Sequence, residues 1–269
     1  MRRIYRPAVW LGSILTAGVT ALVVTLVSTG GQKVLQAPKG SPITIGAVAL
    51  QRDEDLKGDS YVFRDPVTVP PDQLRVMSAN MDASGWARSN GGVDVDTVIA
   101  QVVLVGNRTD PVRILGMKAI KHCGPPLTGT IINKPTGGAD DTIRLAFDLE
   151  APDSSARTWS GGGGGFGGNY FDSKTISLKY KEQQTLQILG ITRRKYCEFR
   201  IQLTVFNGKR TETMTMTNGG HPFKVSAQLP FPQDNSAPFS GYQRAYVGGV
   251  LNTKEHGAFM QVDPKKFRG

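Results

Sequence analysis

The sequence predicts an all-β fold, an antiparallel β-sandwich carried behind one transmembrane helix. Three observations predict it: an uncharged run near the N-terminus, a two-residue hydrophobic period through the middle of the chain, and two cysteines that both follow the uncharged run. The chain has 269 residues, which after a membrane segment leaves enough for one β-sandwich with connecting arms.

Ala8 to Val27 is a run of 20 residues without a charge. As a helix it would cover about 30 Å, the thickness of a bilayer's hydrocarbon core. Its Thr and Ser residues are scattered around the wheel, so no wet face is marked and burial on all sides is implied. The helix is placed at residues 7–29, behind a cytoplasmic stub of residues 1–6. Arg2, Arg3 and Arg6 precede the run, and the first basic residues beyond it are Lys33 and Lys39. That bias puts the N-terminus in the cytoplasm and the rest of the chain outside the cell membrane, as a single-pass protein. The alternative is a cleaved signal peptide ending near Ser28-Thr29-Gly30, although a signal core is usually only about 7–15 residues long.

The formal net charge is +10, and removing Arg2, Arg3 and Arg6 leaves +7 on the exported part. The charge is diffuse. Its densest spots, Arg193-Arg194-Lys195 and Lys265-Lys266, are too short for a nucleic-acid groove and read as solvated faces. The partners that fit are the membrane, through the N-terminal helix, and an envelope protein or an anionic polymer; no nucleic acid is expected. Cys123 and Cys197 both lie on the exported side, where a disulfide is permitted. Pairing them closes a loop of 74 residues, for which chain entropy gives about 4 kcal/mol.

Residues 30–92 read as a juxtamembrane linker with a first strand at Ile43 to Leu50. From Gln51 to Gly92 the sequence mixes charges, Pro66, Pro70-Pro71 and an Asn90-Gly91-Gly92 turn, without a clean helix or strand. The sandwich is placed at residues 93–229. Val93, Val95, Thr97, Ile99, Gln101, Val103 and Val105 alternate along one strand, and after a turn at Asn107 to Pro111 a second strand returns. Ile143, Leu145, Phe147 and Leu149 alternate again, and further strands fall at Thr175 to Tyr180 and Leu186 to Ile191. Cys197, Phe199, Ile201, Leu203 and Val205 give the strongest apolar row. Asn207-Gly208 follows and leads into an alternating run from Thr211, which predicts a two-residue hairpin turn. Phe223, Val225, Ala227 and Leu229 supply the last strand. Residues 230–269 hold Pro230, Pro232, Pro238 and scattered aromatics without period, and read as an extended tail that docks through Tyr242 and Tyr246.

The late strand that carries Cys197, and the separation of Cys197 from Cys123, resemble the architecture of an immunoglobulin-like domain. The resemblance covers about half the chain. It departs from the family pattern in having Lys195 two residues before the second cysteine and no Trp at the usual distance after the first. The layout of anchor, linker and exported domain also resembles that of uncharacterised single-pass envelope proteins of actinobacteria, a resemblance that implies no function.

Chemistry is sparse. His122, His221 and His256 stand apart in sequence, so no metal site and no cofactor are expected. Asp94 and Asp96 share a side of one strand and Asp140-Asp141 sit in a turn, but neither pair has a calcium loop around it, and both are expected to be solvated. The glycines from Gly161 to Gly168 contain a formal G-x-G-x-x-G without the flanking strand and helix that a dinucleotide site needs. They read as a mobile connection, and Trp159, Phe166, Tyr170 and Phe171 in or beside it make it the candidate binding loop, able to stack on a sugar, a partner or a lipid surface.

One enzyme reading competes. The order His122, Cys197, Arg210 is similar to that of sortase-type cysteine transpeptidases, a resemblance that implies a thiolate at Cys197 with a general acid and an oxyanion-stabilising cation. Cys197 lacks that family's Thr-Leu-x-Thr-Cys approach, however, and lies in an apolar row. No Gly-x-Ser-x-Gly elbow occurs either. The expectation is a non-catalytic, membrane-anchored binding or assembly module, with a structural component of a membrane complex as the further alternative.

Overall fold

The computed structural model describes residues 40–51, 59–134, 144–160, 165–229, 237–252 and 257–268. The expected membrane span at 7–29, the Asp140-Asp141 turn and Gly161 to Gly164 lie outside these residues. Among the described residues no helix is long and apolar enough to cross a membrane.

The protein is mostly β. A six-stranded sheet contains β1 (Ile43–Gln51), β4 (Thr97–Gly106), β7 (Arg144–Asp148), β8 (Arg157–Trp159), β9 (Phe166–Asn169) and β11 (Gln183–Ile191), in the order β1-β4-β11-β7-β8-β9. The second sheet has ten strands. Its members are β2 (Tyr61–Val62), β3 (Val93–Val95), β5 (Val112–Gly124), β6 (Thr130–Asn133), β10 (Ile176–Leu178), β12 (Tyr196–Phe206), β13 (Thr211–Met216), β14 (Phe223–Ser226), β15 (Arg244–Gly249) and β16 (Gly257–Val262). They run β10-β5-β12-β14-β3-β2-β6-β15-β16, with β13 also paired to β12.

The two sheets share one core. Val98, Ala100, Val102 and Leu104 of β4 and Leu186 and Ile188 of β11 pack in the same cluster as Cys197, Phe199, Ile201, Leu203 and Val205 of β12. The β12 row is the one its alternation predicts, because this strand keeps a single wet face. In β4 both rows are largely apolar, and the core takes the row that starts at Val98 while Ile99 turns to the other side of the sheet. Periodicity alone cannot choose between two apolar faces.

The run from Val93 to Val105 is not one strand. Asp96 stands at φ 63°, a left-handed conformation that aspartate visits more readily than β-branched residues do. There the chain leaves β3 in the ten-stranded sheet and enters β4 in the six-stranded one. Asp94 and Asp96 are both 6% exposed, so the expectation that they are solvated is overturned. The Asp96 carboxylate accepts the Gln228 N–H at 2.7 Å.

The pairing is mixed, where an all-antiparallel arrangement was expected. The pairs β11 with β7, β14 with β3 and β15 with β6 are parallel. The hairpin after β12 also differs from expectation: it spans Asn207 to Arg210, with Asn207 N–H donating to the Arg210 carbonyl and only Gly208 at positive φ. The Asn207 side-chain oxygen accepts the N–H groups of Lys209 and Arg210 at 3.1 and 3.0 Å, an Asx turn that replaces the two-residue turn.

Two segments expected to lack elements carry them. In residues 59–92 stand α1 (Pro71–Asn80) and α2 (Ser84–Ser89). Pro71 opens α1, where its missing N–H costs nothing. Only Met77 of α1 and Ala87 of α2 are buried, too few anchors to print an apolar stripe. Both pack with Tyr61, Phe63, Ile132, Tyr246 and Phe259. In the C-terminal segment β15 inserts beside β6, and the expected docking by Tyr242 and Tyr246 is present. Each tyrosine is buried, and their hydroxyls accept N–H groups from Leu229 at 2.8 Å and Val69 at 3.1 Å.

Candidate functional site

Cys123 and Cys197 form a disulfide. The two residues stand directly opposite each other on β5 and β12, with Cα atoms 4.1 Å apart. The bond therefore links neighbouring strands of one sheet, whereas the immunoglobulin pattern joins two sheets. Cys197 is 0% exposed and, as a half-cystine, offers no thiolate. His122 faces Glu198 across the same pair of strands. Arg210 lies beyond the opposite end of β12, about 30 Å away along the strand, and pairs with Glu212 at 3.0 Å. The three residues of the transpeptidase reading are thus not brought together.

The four aromatics of the candidate binding loop separate into two pairs. Trp159 and Phe166 meet edge to face with centroids 5.3 Å apart and cover Ile99, Ala146, Leu189 and Ile191. The Arg157 guanidinium stands 5.2 Å from the Phe166 ring. Tyr170 and Phe171 form a second pair at 5.1 Å, but Tyr170 is buried in the shared core and Phe171 packs on it. They serve as packing on different faces of the six-stranded sheet and do not make one exposed platform.

A different place collects polar groups. A cleft of about 200 Å³ lies where the end of α2, the start of β3 and the turn before β14 converge. Two Asn-Gly-Gly turns reach it, Asn90 to Gly92 through Gly91 and Gly92, and Asn218 to Gly220 through Asn218. Gly91, Gly219 and Gly220 have φ of 86°, 59° and 89°, conformations that glycine adopts at little cost. Gly92 is needed for another reason: a Cβ there would stand 2.8 Å from both the Ala87 carbonyl oxygen and the Phe63 ring.

Arg88 and Asp94 line this cleft. Arg88 Nη2 donates to Asp94 Oδ1 and to the Gln51 carbonyl, both at 2.6 Å, and Nη1 donates to the Leu50 carbonyl at 3.3 Å. The guanidinium also lies 5.4 Å from the Tyr61 ring. Behind the pair is Asp59, 2% exposed, whose Oδ2 accepts the Ala83 N–H at 2.9 Å. Burial pushes the Asp94 carboxyl up to about 6, although Arg88 draws it down. Burial, and then the Asp94 and Asp59 charges, hold the Tyr61 hydroxyl in its neutral form. At the mouth stand His221 and Lys224, both exposed. Among the described residues no group of three or more His, Cys, Asp or Glu is placed to hold a metal ion.

Sequence reasoning did not single out Arg88 or Lys224, and considered His221 only as a histidine isolated from the other two. The available signal was the repeated Asn-Gly-Gly, since each copy borders an element and both reach the cleft. No protein-family model matches this chain, and no curated protein matches it.

Proposed function

We propose that this chain is a non-catalytic binding module of the cell envelope, held in the membrane by its N-terminal helix with the β domain outside. The observation that carries the reading is the Cys123–Cys197 disulfide, because such bonds persist in oxidising compartments and are rare where thiols are kept reduced. The uncharged run at Ala8 to Val27 and the arginines before it supply the matching anchor and orientation. Two sheets around one core make a sandwich scaffold comparable in use to immunoglobulin-like domains, which present loops from a rigid body. The Arg88–Asp94 cleft is the binding site in this reading.

External protease on intact spheroplasts tests it. The β domain should be digested while an N-terminal stub stays with the membrane. Protection of the whole domain would overturn the orientation, and a product in the medium beginning near Gly31 would replace the anchor by a signal peptide.

A further inference from the structure

We infer that the cleft between the two Asn-Gly-Gly turns binds a small carboxylate, gripped at the mouth by Lys224 and His221. The inference rests on the reading of this chain as a binding module and specifies what the module binds.

Size comes first. At about 200 Å³ the cleft is below the usual range for drug-sized ligands and fits a group of a few heavy atoms. Charge comes second. The Arg88 cation is engaged by Asp94 and by the Leu50 and Gln51 carbonyls, so that pair adds no net charge at the floor. The other two ionisable groups lining the cleft, His221 and Lys224, are both bases. Lys224 Nζ forms an ion pair with Glu198 Oε1 at 3.7 Å, which occupies at most one of the three N–H donors of an ammonium. The ammonium therefore keeps donors for a ligand.

The backbone supplies the third argument. A Cβ built on Gly91, which lines the cleft, would meet nothing within 4 Å, so the backbone there stands bare beside open space and a ligand can approach it closely. A carboxylate fits the two bases at the mouth, because its two oxygens can accept from the Lys224 ammonium and the His221 ring together. The carboxylate can come from a free acid or from an acidic side chain of a partner protein.

The test uses the full chain in detergent micelles. Only three histidines occur, so the His221 imidazole signal can be followed by NMR and assigned with His221→Gln. Three probes are titrated: succinate, its neutral counterpart succinamide, and the peptide acetyl-Gly-Glu-Gly-amide. Succinate or the peptide should move the His221 signal saturably, with succinamide at least about tenfold weaker. Lys224→Gln should weaken the acid by about tenfold, the loss expected for one hydrogen bond to a charged group. Lys266→Gln, outside the cleft, should leave it unchanged. Tighter binding of the peptide points to a partner's side chain, and tighter binding of succinate to a free acid. If succinamide binds as well as succinate, or Lys224→Gln changes nothing, the carboxylate assignment is wrong while the cleft stays a binding site. If no probe gives a saturable shift, the cleft is not the site, a result separate from the topology decided by protease.

Discussion

Arg88 and Asp94 form an ion pair of 2.6 Å that ties the last turn of α2 to β3, while the same guanidinium holds the final carbonyls of β1 in the other sheet. One side chain thus bridges both sheets and the helix that covers one of them. Replacing it leaves a buried carboxylate and two carbonyls without their donor. Arg88→Met should therefore cost about 3–5 kcal/mol in urea unfolding, and Arg88→Met with Asp94→Leu should cost less than the single change. An equal or larger loss in the double variant would show that the pair is not the source.

The titration of Asp94 gives a pH dependence. Its carboxyl is raised from 3.8 to about 6 in the folded protein, so the native state binds this proton more tightly than the unfolded chain. The stability it contributes is present at low pH and is lost as pH rises from about 4 to about 6. Asp94→Asn should flatten that part of the stability curve. A curve unchanged by the substitution would assign the slope to other groups.

Glu150 has the opposite sign. Burial alone would raise its carboxyl, but the Arg193 and Arg194 N–H groups, the Arg194 guanidinium and the Thr192 hydroxyl bring it down to about 2. It holds the turn between β11 and β12 with contacts of 2.7 and 2.5 Å to the two N–H groups. Its contribution is complete above about 4.5 and fades as pH falls toward 2. Glu150→Gln should lower the melting temperature at pH 7 and have little effect at pH 2.5.

Two glycines separate conformational need from close approach. Gly92→Ala should destabilise by roughly 1–3 kcal/mol, because its Cβ would press on the Ala87 carbonyl and the Phe63 ring. Gly85→Ala, inside α2 with open space at its Cβ, should stabilise by about 0.5–1 kcal/mol through helix propensity. Thermal unfolding of both variants checks the contrast.

The cysteines give the last prediction. Purified protein should resist alkylation until it is reduced, and Cys197→Ala with Cys123→Ala should cost about 2–5 kcal/mol. Two thiols found free in native protein by non-reducing mass spectrometry would contradict the bond and reopen the thiolate reading of Cys197.

The strands with one wet face were legible without coordinates. The β12 row from Cys197 to Val205 is buried as its alternation predicts, and the disulfide joins the only two cysteines. The tyrosines that dock the C-terminal segment were legible too, since a large amphipathic ring in a poorly periodic stretch has few other uses. The site was not. Arg88 comes from α2, Asp94 from the far side of an Asn-Gly-Gly turn, and His221 and Lys224 from about 130 residues later, and nothing local marks that they meet.

Features that depend on neighbours a few residues apart can be read directly from the chain: the alternation of β12, the turn at Gly208, the uncharged N-terminal run. The remaining features depend on long-range pairing. Asp96 turns left-handed because β3 and β4 belong to different sheets. The core takes the Val98 row of β4 because the ten-stranded sheet lies on that side. β2, two residues long, exists because β3 and β6 flank it, and β15 is a strand because β6 offers it an open edge. Short elements of this kind carry too few residues to print a period, and their backbone hydrogen bonds form only when the partner strand is already in place.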